Sequence, residues 1–478
     1  MKLLTGTVLL AWAIVIGASS GEGPPQSPKA TRTTDAPAVL DPDNGAVPPP
    51  PGAPQDKPRV VSREGAEYLR KLRKNTPFGT NGFDLEGLRA GMGSRREPRG
   101  AKNVQLIRTK IGEIPAEWVL APGADPDLRL LYLHGGGFVS GSAGFYLTMA
   151  AHISSAARCA VLLPDYRLAP EHPLPAGIED CVAAHEWMIA NGPSGPARAR
   201  ATFIAGDSAG GSLTLATLLA LRDRRLPMPV AGIPLSPTTD LTLASESLKT
   251  VDDPIISSRT MPRFRDLYLG ETDPRNPLAS PVFGDYKGIP PLLIQVGEHE
   301  MLRDDSIRVA KKARADGIQV KLEVWPGMFH VFQSHEPLLP EAREAIRHMA
   351  DFMQASLPED LRQPNMVADR LKQKVDLDFN RTPLQEAFSR IGDEIWTTIE
   401  IEGDALKSAG YTKNMPQTMK AEQVTAVQAI AKILQQYQNV RNPGQSMVIV
   451  VDEDKKRIRV TTEAFCQKQN LQPYDVTK

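Results

Sequence analysis

Across residues 59–357, short apolar runs alternate with segments whose apolar residues recur at helical spacing. The apolar runs are residues 128–133, 160–163, 201–204, 230–233, 292–296 and 320–324. Short continuous runs suit strands buried on both faces. Between them, residues 178–190, 212–224, 306–316 and 340–355 carry the 3.6-residue period of helices. Alternation of this kind predicts an α/β fold with a mostly parallel sheet covered by helices. Two stretches break the rhythm. Residues 60–100 hold two short helical patterns, 67–72 and 84–91, and residues 236–290 show no clear strand. Insertions of this sort commonly form the lid or pocket wall of an α/β enzyme.

After residue 357 the pattern changes. Residues 375–379 and 396–401 predict strands, 383–391 and 421–437 helices, and 447–451 with 457–461 a hairpin. Residues 375–478 are thus expected to form a small α+β domain, joined through a linker at 358–374. At the other end, Lys2 precedes an apolar run over residues 8–16, followed by Gly17, Ala18, Ser19 and Ser20. A basic start, a short apolar core and small residues predict a secretory signal over residues 1–20. The run is shorter than the roughly 20 residues of a membrane helix, which disfavours an uncleaved anchor. Residues 21–58, with four consecutive prolines at 48–51, read as an extended, Pro-rich disordered spacer. The chain is expected to be exported, to the periplasm or beyond.

Composition adds limits. A chain of 478 residues exceeds one ordinary core and implies two or more domains. A formal net charge of zero, with no basic stripe, argues against nucleic acid as a partner. The three cysteines, Cys159, Cys181 and Cys466, are odd in number and lack metal-site spacing. Cys159 and Cys181 lie in apolar surroundings and read as small buried residues, with a bond between them left open.

The chemistry is concentrated in three places. Gly206-Asp207-Ser208-Ala209-Gly210 lies between an apolar run and an apolar helical segment. Gly-x-Ser-x-Gly in that context is a sharp strand-to-helix turn that exposes a nucleophilic serine. Upstream, His134-Gly135-Gly136-Gly137 follows the run 128–133. Its glycines let backbone N–H groups approach a developing oxyanion, and Gly135, Gly136 and Ala209 are the expected donors. His134 is expected to shape this loop. No Lys-Ser/Thr follows the glycines, so a phosphate loop is disfavoured. Third, His330 falls on a loop after the run 320–324, where such sheets place reactive groups. It is the expected base for Ser208. His152, His185 and His348 fall within helical patterns and read as surface or packing residues, whereas His172, His299 and His335 fall on loops and are less excluded. The acid must lie between serine and histidine in chain order. By position, Glu300, Asp304 and Asp305 all qualify.

These motifs together resemble the bacterial hormone-sensitive-lipase-like esterases. The resemblance covers residues 62–357 and extends to Asp165-Tyr166-Arg167-Leu168-Ala169-Pro170-Glu171-His172-Pro173, to Ser236-Pro237 with Thr239-Asp240-Leu241-Thr242-Leu243, and to Tyr268-Leu269-Gly270. It implies an α/β-hydrolase fold with a helical cap made by residues 60–100 and about 240–285. It implies a serine carboxylesterase acting on short- to medium-chain acyl esters, with no metal or organic cofactor. The family's acid commonly opens an Asp-Pro-Leu triplet. Here the matching triplet is Glu300-Met301-Leu302, so the resemblance assigns Glu300, a glutamate where aspartate is usual. Lactone hydrolysis, deacetylation or amide cleavage with the same triad are the alternatives. From another class, a non-catalytic envelope binding protein is the alternative, against which an intact Ser208, His330 and glycine loop argue. The C-terminal part resembles the short N-terminal domain of secretins and TonB-dependent receptors, on the stretch from Leu377 to Phe388 and the elements after it. That resemblance implies a cell-envelope partner.

Overall fold

A computed structural model describes residues 61–476, apart from 76, 102, 337 and 362–366. The expected export signal and Pro-rich spacer lie outside the described residues. The chain divides into two compact units, Met1–Met349 and Ala350–Lys478.

The first unit begins with two cap helices, α1 (Arg63–Leu72) and α2 (Leu85–Met92). Each starts on a side chain that accepts a hydrogen bond from an otherwise orphaned helix N–H. Ser62 takes that of Gly65, and Asp84 that of Gly87. The main sheet then forms from β1 (Gln105–Ile111), β2 (Ile114–Leu120), β3 (Asp125–Leu133), β4 (Cys159–Pro164), β5 (Ala201–Asp207), β6 (Ala231–Leu235), β7 (Leu292–Gly297) and β8 (Val320–Trp325). Its helices are α3 (Leu147–Ala157), α4 (Ala176–Ala190), α5 (Ala209–Asp223), α6 (Met261–Leu269), α7 (Arg303–Ala315) and α8 (Pro340–Ser356).

The strand order is β1-β2-β4-β3-β5-β6-β7-β8. β2 is antiparallel to both its neighbours, and every pair from β4 onward is parallel. All six apolar runs of the sequence are strands of this sheet, which is the α/β-hydrolase arrangement. The hairpin β1–β2 has no counterpart in the apolar pattern, because β1 lies at the sheet edge and is buried fully only at Ile111. α3 also went unread.

The central strand β5 is buried along its whole length. So is every residue of α5 from Ala209 to Leu221, which is why this helix lacks a polar stripe. α7 shows the opposite design. Asp304 and Asp305 stand in its first turn and Lys312 and Arg314 in its last, matching the helix dipole.

The second unit contains β9 (Lys374–Pro383), α9 (Leu384–Glu394), β10 (Thr398–Ile401), α10 (Gly403–Ser408), β11 (Pro416–Thr425), α11 (Ala426–Gln435), β12 (Met447–Asp452), β13 (Arg457–Thr462) and α12 (Glu463–Gln469). β9 pairs with β11, and β10, β13 and β12 make a second small sheet. Both pack on α9 and α11 around Phe379, Phe388, Ile430 and Ile449. The sequence pattern placed a helix over 421–437. Residues 421–425 instead complete β11, and the helix begins at Ala426, where Thr425 and Gln428 form a reciprocal capping box.

All three cysteines are buried free thiols, so the bond left open between Cys159 and Cys181 is not formed. Burial pushes the Cys159 thiol up to about 12.

The turn between β5 and α5 depends on missing side chains. A Cβ at Gly210 would lie 2.0 Å from the Leu133 carbonyl oxygen, and one at Gly206 would lie 2.4 Å from that of Gly210. Backbone is on both sides, so nothing flexible can yield. Gly210→Ala is therefore expected to lower stability by at least about 3 kcal/mol, the upper range for overpacking. Chemical denaturation checks this, and an unchanged midpoint would contradict the close packing.

Candidate active site

Ser208 is the residue on which the turn pivots. Its φ of 54° and ψ of −120° are strained for a residue with a side chain. The conformation is held from both sides. The Ser208 N–H donates to Leu235 O at 2.8 Å, and Ser208 O accepts from Ser212 N–H at 3.1 Å. The hydroxyl thereby stands at the N-terminus of α5.

Two further loops meet it. His330 Nε2 is 3.0 Å from Ser208 Oγ, and His330 Nδ1 is 2.9 Å from Glu300 Oε2. Glu300 is fully buried, and its other oxygen accepts from Ser236 Oγ–H at 2.8 Å and from the Gly297 N–H at 2.5 Å. Ser236 Oγ also accepts from the Val331 N–H, so one hydroxyl braces both the acid and the histidine loop. Burial opposes the charged imidazolium. The hydrogen bond and charge of Glu300, joined by the charges of Asp253 and Asp207, outweigh it and raise the His330 pKa above its ordinary value.

The three acids that chain position left open are now distinct. Asp304 accepts from the Ser247 N–H at 2.9 Å and from Arg303. Asp305 is buried and accepts from the N–H groups of Thr239 and Asp240, at 2.7 and 3.0 Å, and from the Ser245 hydroxyl. Both fasten loops. Glu300 alone of the three bonds His330.

The glycine loop corrects one expectation. The Gly135 N–H donates to Tyr146 Oη at 3.1 Å, so Gly135 is not an oxyanion donor. Tyr146 in turn donates to Asp207 Oδ2, while Tyr132 donates to Asp207 Oδ1, both at 2.9 Å. Burial pushes the Asp207 carboxyl up to about 6 despite these two donors. Gly136 and Gly137 line the cavity beside Ser208. Among the described residues, neither of their N–H groups has an acceptor in the protein. The third glycine was the available signal in the sequence. Gly137 has φ +64°, and a Cβ there would fall 2.4 Å from the Phe264 ring. His134 holds this loop without facing Ser208. Tyr166 stacks on its ring at 4.2 Å and donates to its carbonyl at 2.6 Å.

The remaining histidines lie elsewhere. His152 bonds Glu336, His185 bonds Thr202 and His348 bonds Glu323. His335 is buried against Tyr68 and Phe329, and burial lowers it to about 4.

The cavity over Ser208 is mainly apolar. Both breaks in the sequence rhythm wall it, Phe78, Leu88 and Met92 from the first, and Ile256, Met261 and Phe264 from the second. The two pieces meet in a short bridge, in which Phe78 N–H donates to Ile255 O and Ser257 N–H to Phe78 O, at 2.8 and 3.0 Å. Arg89 ties α2 to the body. It donates to the carbonyls of Val139 and Ala169, at 2.8 and 2.9 Å, and forks onto Glu171.

A family model described as the α/β-hydrolase fold matches residues 130–334. An acetyl-hydrolase of Streptomyces hygroscopicus is 42% identical over 255 residues, which cover 53% of this chain and 83% of that protein. The chain belongs to the α/β-hydrolase family. It is a carboxylic ester hydrolase. The crystal structure of EstE5 soaked with p-nitrophenyl butyrate matches with a TM-score of 0.57 and 41% identity, over 62% of this chain and 99% of that one. An esterase of the bacterial hormone-sensitive lipase family matches with a TM-score of 0.56 and 40% identity, over 63% and 100%.

The three Arg89 contacts make a local prediction for this hydrolase. Arg89→Met should leave the sheet intact but raise amide exchange in α2 about tenfold or more, as its tertiary bonds are lost. Hydrogen-exchange mass spectrometry reads both regions. Unchanged protection of α2 would show that apolar packing alone holds it.

Proposed function

We propose that the chain is a serine carboxylesterase for short- to medium-chain acyl esters, working through an acyl-enzyme on Ser208. The observation that carries this is the relay from Ser208 Oγ to His330 Nε2 at 3.0 Å and from Nδ1 to Glu300 at 2.9 Å, opening on an apolar cavity. Ser208 Oγ attacks the ester carbonyl as its proton passes to His330 Nε2. Glu300 orients the imidazole and stabilises its charged form. The N–H groups of Gly136, Gly137 and Ala209 receive the oxyanion. His330 then protonates the departing alcohol and later activates the water that frees the acid.

The acetyl-hydrolase name of the Streptomyces relative favours acetyl esters within this range. An amidase or lactonase would use the same groups and differ only in leaving group. Export is part of the proposal and rests on Lys2, the apolar run 8–16 and the small residues after it. So is an envelope partner for the second unit, whose strand–helix order supports an interaction module.

Purified protein is expected to hydrolyse p-nitrophenyl acetate and butyrate, and Ser208→Ala to lower kcat by at least about 10⁴-fold. Equal activity in that variant would end the reading. Glu300→Gln should cost about 10³- to 10⁴-fold in kcat, and Asp304→Asn less than about tenfold. The reverse ranking would reassign the acid. The base must be neutral to act, and its pKa is raised. The acidic limb of kcat/KM is therefore expected to have its midpoint above the ordinary imidazole value of 6.5. A midpoint below that value would contradict the electrostatics of the relay.

A further inference from the structure

Asp253 lies between β6 and α6, in the second cap piece, and is buried. Backbone donors occupy both its oxygens. Oδ1 accepts from the N–H groups of Ile255 and Ile256, at 2.8 and 3.2 Å, and Oδ2 from that of Met301 at 3.1 Å. Ile255 carries the bridge to Phe78, and Met301 directly follows Glu300. One carboxylate thus spans the cap junction and the acid loop. Among the described residues it has no ion pair with Lys or Arg, although a buried carboxylate is costly unless its charge is compensated.

The charged groups that act on Asp253 are His330 and Glu300. Those that act on His330 are Glu300, Asp253 and Asp207. His330 is the one member of this set that can turn positive.

We propose that Asp253 is a positioning residue of the hydrolytic site, an inference that rests on the Ser208–His330–Glu300 reading. It fixes the backbone beside Glu300, and its charge joins that of Glu300 in stabilising the imidazolium formed when Ser208 gives up its proton. The proton moves from Ser208 Oγ to His330 Nε2 and back out to the leaving alcohol. Asp253 takes no proton in the cycle.

Burial pushes the Asp253 carboxyl up to about 6, the positive form of His330 pulls it down, and Glu300 pushes it up again. Asp305 supplies the contrast. It too is buried and pushed up, to about 7, but its bonds run to Thr239, Asp240 and Ser245, away from Met301 and the Glu300 loop.

The test compares pH profiles of kcat/KM for p-nitrophenyl butyrate in the full chain, with rates normalised to active sites titrated by phenylmethylsulfonyl fluoride. Asp253→Asn loses the acceptor for Met301 and the negative charge. It is expected to lower kcat about tenfold and to move the acidic limb down by about half a unit or more, because the imidazolium is less favoured. Asp253→Glu, which keeps the charge, should return the limb toward the wild-type midpoint. Asp253→Ser removes the charge with less bulk and serves should the asparagine variant not fold. A lowered kcat with an unmoved limb would overturn the proposal, as would an unchanged profile. Wild-type protein without esterase activity would instead fail the underlying reading, so the two failures are told apart.

Discussion

The close crossing of α5 over the end of β3 is the constraint on which the site depends. Gly210 lies so near the Leu133 carbonyl that a single methyl group would collide with backbone. That contact lets the chain reverse from strand to helix within one residue, and it forces Ser208 into its strained conformation. The same crossing brings β3 against the helix start, so the glycine loop after Leu133 opens beside the serine. The placement of Ser208 beside the open N–H groups of Gly136 and Gly137 is thus a consequence of one backbone approach. Strain at Ser208 persists because β5 and α5 are buried throughout and cannot relax independently.

Burial creates the second problem the site must solve. Asp207, Asp253, Glu300 and Asp305 all lie in the interior around Ser208 and its loops. Each carboxylate is served by backbone N–H or hydroxyl donors, so desolvation is offset locally. Asp207 uses two tyrosines, and one of them, Tyr146, also takes the Gly135 N–H. This explains why the first glycine of the loop is structural while the next two remain open. The polar network fixes the loop and leaves at the cavity only those donors that it does not consume.

Much of this was legible in the chain. The six apolar runs gave the parallel strands because strands buried on both faces need no alternation. Ser208 and His330 stood out because their neighbours, two glycines and a strand-end loop, restrict what the backbone can do there. Glu300 was different. Chain position admitted Asp304 and Asp305 equally; the family triplet pointed to Glu300, and of the three only Glu300 bonds His330. Gly135 was misread because a glycine run does not show which N–H is spent on a tyrosine 11 residues away. Asp253 was invisible as a partner, since its bond to Met301 crosses 48 positions. In the hairpin β1–β2, β1 escaped because partial burial blurs its pattern, and β2 because the buried Glu117, held by Arg95, interrupts its apolar run.

The cap makes the same point about range. α2 has eight residues and α1 ten, too short to persist alone in water. Their order must therefore come from the body. The anchors are long-range: Ser62 donates to Glu341 across 279 positions, and Arg89 reaches the loops around Val139 and Ala169. Phe78 adds the bridge to Ile255, which Asp253 holds from beneath. The apolar walls over Ser208 are thus held by contacts to the sheet and the acid loop. The cavity wall and the loop that carries Glu300 are thus linked through one carboxylate, Asp253, and an apolar cavity strengthens the hydrogen bonds made within it.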